Sequence, residues 1–367
     1  MGDSVSTDHD WPEPVVPVQS IADSGAAFIP TRYVKPPADR PTAATGRQLD
    51  IPAVDLGHLA ADDPAKRQAA TRAISDACRD WGFFQAVNHG VDGELVRAVA
   101  AVWSDFFHLP VAEKKKLANS PTTYEGYGSR LGVEKDASLD WGDYFFLNLL
   151  PKSARNHDKW PKLPLTCRET TEEYGRQTVK LCGAVMKALS VGLGLHEGFL
   201  EEKFGGEGGA GACMRVCYYP KCPQPELTLG LSAHSDPGGL TVLLAADDCV
   251  PGLQVRRGHE WVPVRPLPGA LIVNVGDQIQ VLSNATFKSV EHRVVVNAMT
   301  DRLSIAFFYN PNGNLLLEPA KELVTLECPP LYHPMTFNQY RQYIRKNGPR
   351  GKAQVESHRI IYNNSYA

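Results

Sequence analysis

The sequence predicts an α+β fold in which a helical N-terminal layer packs against a C-terminal jelly-roll β core, with one further helix after that core. Two observations predict this arrangement. Between residues 65 and 195 apolar residues recur at helical spacing, and after about residue 205 short β-rich runs are separated by Gly, Pro, Asn and Asp. The length of 367 residues suits one large domain or two fused layers.

The first half of the chain predicts an arm followed by helices. Residues 1–50 are rich in Pro, Ala, Asp and Ser, and we expect an arm with one short helix that ends at Pro30. Residues 51–205 are predicted to be mostly helical, with amphipathic helices over 92–119 and 167–195. The same region contains a strand in IPAVDL, a helix in AKRQAATRAISDACRDW and a strand in GFFQAVNHGV.

The second half predicts the β core. Residues 206–312 form it, and the run ALIVNVGDQIQVLSN is interpreted as strand interrupted by a β-turn at residues 274–277. Residues 313–367 are predicted to hold a C-terminal helix over 336–346 and then a tail.

Composition excludes several classes of function. With 38 basic and 41 acidic residues the net charge is −3, so no strong field selects nucleic acid or an anionic membrane. The apolar runs are far shorter than the roughly 18–20 residues of a membrane span, and the acidic N-terminus lacks the apolar segment of a signal peptide. The 8 cysteines form no CxxC pair and predict reduced thiols. We therefore expect a soluble cytoplasmic protein, with the nucleus as the other possible location.

A candidate metal site combines a close pair of ligands with a distant one. His234 and Asp236 stand two residues apart in a predicted strand-to-turn segment, so their side chains point the same way. Such a pair is ordinarily an exposed turn motif, but His292 lies in a later strand of the same β-rich region and can complete a set. Two histidines and one carboxylate leave adjacent positions open, as in non-haem Fe(II) oxygenases. Catalytic zinc is the alternative metal.

Three further residues predict an anion site beside that metal. Arg302 and Ser304 share one face of the next strand and offer a planar guanidinium and a hydroxyl to a carboxylate. Tyr219, on another strand, adds a phenol donor. Each residue alone has an ordinary interpretation, as a paired arginine or a packed tyrosine. Together, in this order, they favour a cosubstrate that carries a carboxylate, and hence iron.

The chain resembles the plant 2-oxoglutarate- and Fe(II)-dependent dioxygenase family from about Trp11 to the C-terminus. The segments that carry the resemblance are RVCYYPKCPQPELTLGLSAHSDPGGLTVLL, GLQVRR, IVNVGDQIQVLSN, SVEHRVVVN and RLSIAFFYNP. The family fold is a distorted double-stranded β-helix. Within the family, WPEPVVPVQSIA, LGVEKDASLDWGDYFFLNLLP and MTFNQYRQYIRKNGPRGKAQVES resemble the jasmonate-induced oxygenases, which hydroxylate jasmonic acid.

The resemblance implies a complete cofactor set. Fe(II) is assigned to His234, Asp236 and His292, with 2-oxoglutarate and O₂ as cosubstrates and ascorbate as the reductant. The far carboxylate of 2-oxoglutarate is assigned to the arginine, serine and tyrosine named above.

One position departs from the family pattern. Cys217 stands where relatives usually have Asn before the two tyrosines. A thiol is a weak donor and cannot replace the two N–H groups of an amide. We expect 2-oxoglutarate binding to be weakened by about 0.5–1.5 kcal/mol.

Three arginines are candidates for binding the substrate. Arg215 shares a strand face with the predicted cosubstrate residues, and Arg341 and Arg345 are i,i+4 on the C-terminal helix. A basic, solvated helix is the ordinary interpretation of the last two. The resemblance to the jasmonate-induced oxygenases implies instead that all three bind the jasmonate carboxylate.

The expected substrate pocket also has apolar walls. Phe146 and either Phe307 or Phe308 are candidates, although core packing is the ordinary role of each. The predicted reaction converts jasmonic acid to 12-hydroxyjasmonate and lowers hormone signalling in plant defence. The alternatives are a flavonoid-oxidising dioxygenase of the anthocyanidin synthase or flavonol synthase type, a non-catalytic jelly-roll binding or storage protein, and a zinc hydrolase. A neutral polyphenol gains little from three cations, which favours a small carboxylate as the partner.

Overall fold

The computed structural model describes residues 11, 13–41, 51–206, 208–246, 250–348 and 350–362, without the side chains of residues 345–347. The helices are α1 Val18–Asp23, α2 Pro64–Asp80, α3 Gly93–His108, α4 Val111–Lys115, α5 Cys167–Gly192, α6 Phe199–Lys203, α7 Asp277–Leu282, α8 Phe337–Asn347 and α9 Ala353–Glu356. The strands are β1 Ala53–Asp55, β2 Phe83–Val87, β3 Gly126–Gly128, β4 Asp143–Leu150, β5 Gly211–Tyr219, β6 Leu231–His234, β7 Leu240–Ala245, β8 Leu253–Arg257, β9 Glu260–Pro263, β10 Leu271–Val275, β11 His292–Val294, β12 Arg302–Asn310, β13 Leu316–Leu317 and β14 Met335–Thr336.

Two sheets form the β core. The large sheet has the strand order β1-β2-β10-β7-β12-β5-β4-β3, and the small sheet has the order β6-β11-β8-β9. Strand β1 is parallel to β2, whereas β10, β7, β12, β5 and β4 pair in antiparallel fashion. Residues of both sheets line one internal cavity. This architecture confirms the predicted jelly roll, a distorted double-stranded β-helix between an N-terminal helical layer and a C-terminal helix.

The helical layer covers the outer face of the large sheet. Helices α2, α3 and α5 pack against one another, and α3 and α5 also contact β12. Buried side chains such as Trp103 on α3 and Leu181 on α5 share one hydrophobic core with Val216 and Ile305 of the sheet. Alternate residues of the same strands point to the opposite face, towards the small sheet. The helices therefore support one face of the sheet and leave the other for the site.

Local sequence explains where the helices begin and break. The Asp63 side chain accepts a hydrogen bond from the amide of Ala65 and caps α2, and Asp92 caps α3 in the same way. Thr336 and Gln339 form a capping box at the start of α8. The predicted helix over 92–119 is interrupted because Pro110 disfavours helical geometry in the residue before it.

One segment of the predicted β core is a helix. Strand β10 ends at Val275 and helix α7 begins at Asp277, so the β-turn and strand expected here are wrong. The amide of Asp277 donates to the Asp236 carbonyl oxygen at 2.8 Å, and that of Gln278 donates to the Gly238 carbonyl oxygen at 2.9 Å. Long-range contacts thus satisfy the first amides of a short helix whose sequence is rich in β-formers.

The described residues of the N-terminal arm pack onto the domain. The amides of Val18 and Gln19 donate to the carboxylate of Asp143 at 2.7 and 3.1 Å. Lys35, which is only 4% exposed, forms an ion pair with Asp140 at 2.8 Å. The arm expected from the sequence therefore wraps against the wall of the site over residues 13–41, and residues 1–10, 12 and 42–50 lie outside the description.

Two predictions from composition concern helices and thiols. In the described ranges, no helix combines the length and the apolar character that crossing a membrane requires. The cysteines at positions 78, 167, 182, 213, 217, 222 and 328 are free thiols, as expected, and Cys249 is outside the described residues.

Candidate metal centre and substrate cavity

The two sheets bring the predicted metal ligands together. His234 ends β6 and His292 begins β11, and the two residues are direct partners in the pairing of these strands. Nε2 of each histidine lies 3.7 Å from Oδ1 of Asp236. The three ligand atoms all lie within 4.8 Å of one another. Strand pairing therefore joins His292 to a pair that is 56 residues away in sequence.

Backbone carbonyl groups orient both imidazole rings. Nδ1 of His234 lies 2.8 Å from the carbonyl oxygen of Ser232, and Nδ1 of His292 lies 3.1 Å from that of Val290. A ring nitrogen facing a carbonyl oxygen must carry the proton, which leaves the Nε2 lone pair to face the common centre. Both rings are thus held in the tautomer that ligates a metal.

Two buried side chains orient the carboxylate in the same way. Thr241 and Asn274 donate to Oδ2 of Asp236 at 2.6 and 2.7 Å. Oδ1 is left facing the two histidines. Such partners beyond the ligands themselves typically change metal affinity 10- to 100-fold when they are removed.

The charge states also suit a metal. Burial, followed by the proximity of His292, lowers the pKa of His234 to about 4, so the ring is neutral at neutral pH. Burial would raise the pKa of Asp236, but the two histidines and the hydrogen bonds from Asn274 and Thr241 lower it overall. A neutral pair of imidazoles and an ionised carboxylate form a donor set that fits Fe(II) and leaves adjacent coordination positions open.

The predicted anion residues line a cavity of about 60 Å³ beside these ligands. Arg302 pairs with Tyr219 across β12 and β5, and Ser304 pairs with Cys217. All four side chains are at most 6% exposed. The Arg302 guanidinium lies 5.5 Å from the centre of the Tyr219 ring. The predicted set is therefore assembled on two neighbouring strands, one residue pair from the next.

Gly252 provides the room that the Arg302 side chain needs. A Cβ atom at position 252 would lie 2.8 Å from Cδ and Nε of Arg302. A larger residue would displace the guanidinium, and the close approach explains why glycine stands before β8. The arginine is thus fixed between strands and aimed into the cavity.

A larger cavity of about 210 Å³ opens next to the metal ligands. Arg215 lines both cavities and is fully enclosed between Tyr144, whose ring centre lies 4.3 Å from its guanidinium, and the ligands. Burial opposes the charge on Arg215, yet Cys217, Tyr144 and Tyr219 raise its pKa overall. A permanently charged arginine therefore faces a largely apolar space.

The other predicted substrate residues have different fates. Phe146 and Arg341 line the 210 Å³ cavity, and the side chain of Arg345 lies outside the described residues. Phe308 lines the cavity, whereas Phe307 is fully buried in the core beneath the helices. The choice of Phe307 is corrected, because alternate residues of β12 face opposite sides.

Sequence reasoning missed several residues that shape the site. Thr241, Asn274, Gly252 and Tyr144 have no distinctive spacing, since each contacts a ligand or arginine that is remote in sequence. Gln354 on α9 also lines the substrate cavity. The tail prediction gave no reason to examine it.

The jelly roll, the two histidines with one carboxylate and the adjoining arginine site define a non-haem iron dioxygenase that uses 2-oxoglutarate. Comparison with family models agrees: residues 210–311 match the 2OG-Fe(II) oxygenase superfamily, and residues 51–163 match the non-haem dioxygenase in morphine synthesis N-terminal family. The chain belongs to the 2OG-Fe(II) oxygenase superfamily and is an Fe(II)- and 2-oxoglutarate-dependent dioxygenase, as the resemblance implied.

Individual relatives lie in one part of that superfamily. Jasmonate-induced oxygenase 2 of Arabidopsis thaliana is 56% identical over 351 residues, which cover 95% of this chain and 94% of the relative. Jasmonate-induced oxygenase 1 of the same plant is 56% identical over 356 residues, covering 95% and 87%. A crystal structure of JOX2 in complex with 2OG, Fe and JA superposes with a TM-score of 0.89, at 56% identity, and covers 96% of this chain and 100% of that one.

Proposed function

We propose that this enzyme hydroxylates jasmonic acid to 12-hydroxyjasmonate and thereby lowers jasmonate signalling in plant defence. The observation that carries the proposal is the buried, charged Arg215 in a cavity that also contains the metal ligands. The names of the relatives, which are jasmonate-induced oxygenases, support the same substrate. Jasmonic acid is a small carboxylate with an apolar remainder, which is the chemistry that this cavity complements.

The carboxylate of the substrate would bind at the arginines. A carboxylate gains strong, charge-assisted hydrogen bonds from a guanidinium when water is excluded. Arg215 and Arg341 both line the cavity, and they come from different layers of the fold. Arg345, one helical turn after Arg341, is proposed as a third contact. Binding at this end would direct the opposite, pentenyl end of the molecule towards the metal ligands, with Phe146 and Phe308 as apolar walls.

The cosubstrate would occupy the smaller cavity. Arg302, Ser304 and Tyr219 would bind the far carboxylate of 2-oxoglutarate, while Leu231 and Val294 of the same cavity exclude water. His234, Asp236 and His292 would hold the Fe(II). Iron in such a site, supplied with 2-oxoglutarate and O₂, provides the oxidising power that hydroxylates an unactivated C–H bond and yields succinate and CO₂. The protein's own part is to orient both acids and to keep the reacting end of the substrate dry.

Product analysis tests the proposal directly. The purified enzyme is incubated with Fe(II), ascorbate, 2-oxoglutarate, O₂ and jasmonic acid, and the products are separated and identified. We expect 12-hydroxyjasmonate in amounts equal to the succinate formed. A second arm gives jasmonic acid and a flavonoid at equal concentration. Preferential oxidation of the flavonoid would overturn the hormone assignment in favour of a flavonoid-oxidising dioxygenase.

A variant of the helix arginine tests the cavity assignment. Arg341→Ala should raise the KM for jasmonic acid while iron content and the KM for 2-oxoglutarate stay within about twofold. Arg359→Ala is the matched control, because Arg359 lies in the same C-terminal region and pairs with Glu356 on the surface. Unchanged turnover of jasmonic acid in Arg341→Ala would contradict the role of this arginine.

We also propose a cytoplasmic location, with the nucleus as the second candidate. Buried free thiols at Cys78, Cys182 and Cys217 support a reducing compartment. We propose no nucleic-acid or membrane partner, since the formal net charge of −3 is small.

A further inference from the structure

Two buried side-chain donors in the 210 Å³ cavity have no hydrogen-bond partner among the residues that the structure describes. They are Nε of Arg215 and Nε2 of Gln354. Gln354 is only 8% exposed. A buried donor without a partner is unfavourable, so native proteins rarely keep one unless it meets water or a ligand. One of the two donors is cationic and the other is neutral.

Gln354 is held at the cavity by the strand that carries a metal ligand. Two backbone hydrogen bonds connect the segment just before α9 to β6: the amide of Gly351 donates to the carbonyl oxygen of Ala233 at 2.8 Å, and the amide of Ser235 donates to the carbonyl oxygen of Gly351 at 3.2 Å. These bonds form a parallel bridge between Gly351 and His234. The short helix that carries Gln354 therefore has a defined position relative to the metal ligands.

The packing of α9 restricts the amide further. Val355, the next residue, is fully buried in the main hydrophobic core, and the Lys352 ammonium donates to Oε1 of Gln280 at 3.1 Å. Residues on both sides of Gln354 are thus anchored to other elements. Its side chain cannot leave the cavity without moving the whole helix.

The two donors match the two acceptors of the proposed substrate. Jasmonic acid has one anionic acceptor, its carboxylate, and one neutral acceptor, its ring ketone. A cation suits the carboxylate, and a carboxamide N–H suits a ketone oxygen. Resting on the proposed function, we infer that the Gln354 side chain donates a hydrogen bond to the ring ketone and so determines specificity for a keto acid. Sites built to hydrogen-bond a substrate group reject analogues that lack it, because the donor is then left unpaired.

Comparison of two substrates in two proteins tests the inference. The kcat/KM is measured for jasmonic acid and for its analogue with CH₂ in place of the ring carbonyl, using wild-type enzyme and Gln354→Leu. We expect the wild-type enzyme to prefer the ketone by about tenfold, the value of one net hydrogen bond. In Gln354→Leu the preference should fall to within about twofold. Because the preference is a ratio within one protein, a partly inactive preparation does not alter it.

The controls separate this inference from the proposed function. Gln342→Leu makes the same chemical change on the exposed face of α8 and should keep the tenfold preference. If Gln354→Leu does not fold, Gln354→Met replaces it, since Met is unbranched and lacks the donor. An unchanged ketone preference in the Gln354 variant would overturn the inference and leave the proposed function intact. Failure of the wild-type enzyme to oxidise jasmonic acid would overturn the proposed function and, with it, this assignment.

Discussion

The metal cavity and the substrate cavity share a wall but are built differently. The metal and cosubstrate residues lie on paired strands: His234 is opposite His292, and Arg302 is opposite Tyr219. The substrate cavity combines residues from β4, β5, β12, α8 and α9, together with the loop around Leu131. Strand register therefore sets the first cavity, whereas packing between separate elements sets the second.

This difference separates the chemistry of the enzyme from its choice of substrate. Hydrogen-bonded strands hold side chains at fixed spacing, so a reaction that needs three ligands around one ion is well served by them. Helices and loops at the rim can change without altering that register. We expect changes in the strand-built cavity to abolish turnover of any substrate and changes in the rim to alter which substrate is used.

The largest effect is expected from the metal carboxylate. Asp236→Ala removes a ligand and leaves two buried imidazoles facing each other, so turnover should fall by more than the roughly 100-fold that changes beyond the ligands cause. Iron content per chain and succinate release are the measurements. Asp62→Ala, on the exposed surface before α2, should behave as wild type. Full iron occupancy in Asp236→Ala would show that the strand pairing does not define the metal site.

Two arginines on facing strands should give opposite kinetic effects. Arg302→Met should raise the KM for 2-oxoglutarate by about 10- to 100-fold, and Arg215→Met should raise the KM for jasmonic acid by a similar factor, because each removes hydrogen bonds to a carboxylate. Each variant serves as the control for the other, since both arginines are buried within one cavity wall. The division between the cavities would be wrong if both variants raised the KM of the same acid.

Asp277 connects the two regions and predicts a pH effect on stability. Its Oδ2 accepts hydrogen bonds from Tyr340 on α8 at 2.6 Å and from Ser235 at 3.2 Å. Burial raises the pKa of Asp277 to about 6, although these hydroxyl groups oppose the shift. The folded protein therefore retains a proton that the unfolded chain loses near pH 4, and its stability decreases as the pH rises to about 6.

Asp277→Asn removes this titration while keeping an acceptor for both hydroxyl groups. In the metal-free protein we expect the unfolding free energy of the wild type to fall by about 3 kcal/mol relative to the variant between pH 4 and pH 7. Denaturant unfolding at several pH values measures the difference. A constant difference across this range would show that Asp277 does not titrate in the folded protein.

The smallest effect is expected at the departure from the family pattern. Cys217 pairs with Ser304 and lines the 60 Å³ cavity. Cys217→Asn restores an amide donor and should lower the KM for 2-oxoglutarate by a factor of about 2 to 10. Cys217→Ala, which removes the weak thiol donor, should leave that KM within about twofold. A higher KM in the Asn variant would mean that the amide does not fit between Ser304 and the metal ligands.

The strand-built cavity could be predicted well from the sequence, because its residues obey the period of two. The same rule separates Phe308, which lines the cavity, from Phe307, which is buried in the core, and strict alternation from Ser304 would have made that choice. The helix at Asp277 could not be predicted in this way. Its sequence favours strand, and contacts with Asp236 and Gly238 decide its structure.

The sequence by itself determined the class of enzyme, since the ligand types, their spacing and the residue pairs on one strand face are local properties. The tertiary structure alone decided which remote side chains complete the site: Thr241 and Asn274 on the carboxylate, Gly252 behind Arg302, and Gln354 in the substrate cavity. The physical reason is that a hydrogen bond or a close approach between distant residues leaves no periodic pattern in the chain. It exists only after the sheets and the C-terminal helices have packed.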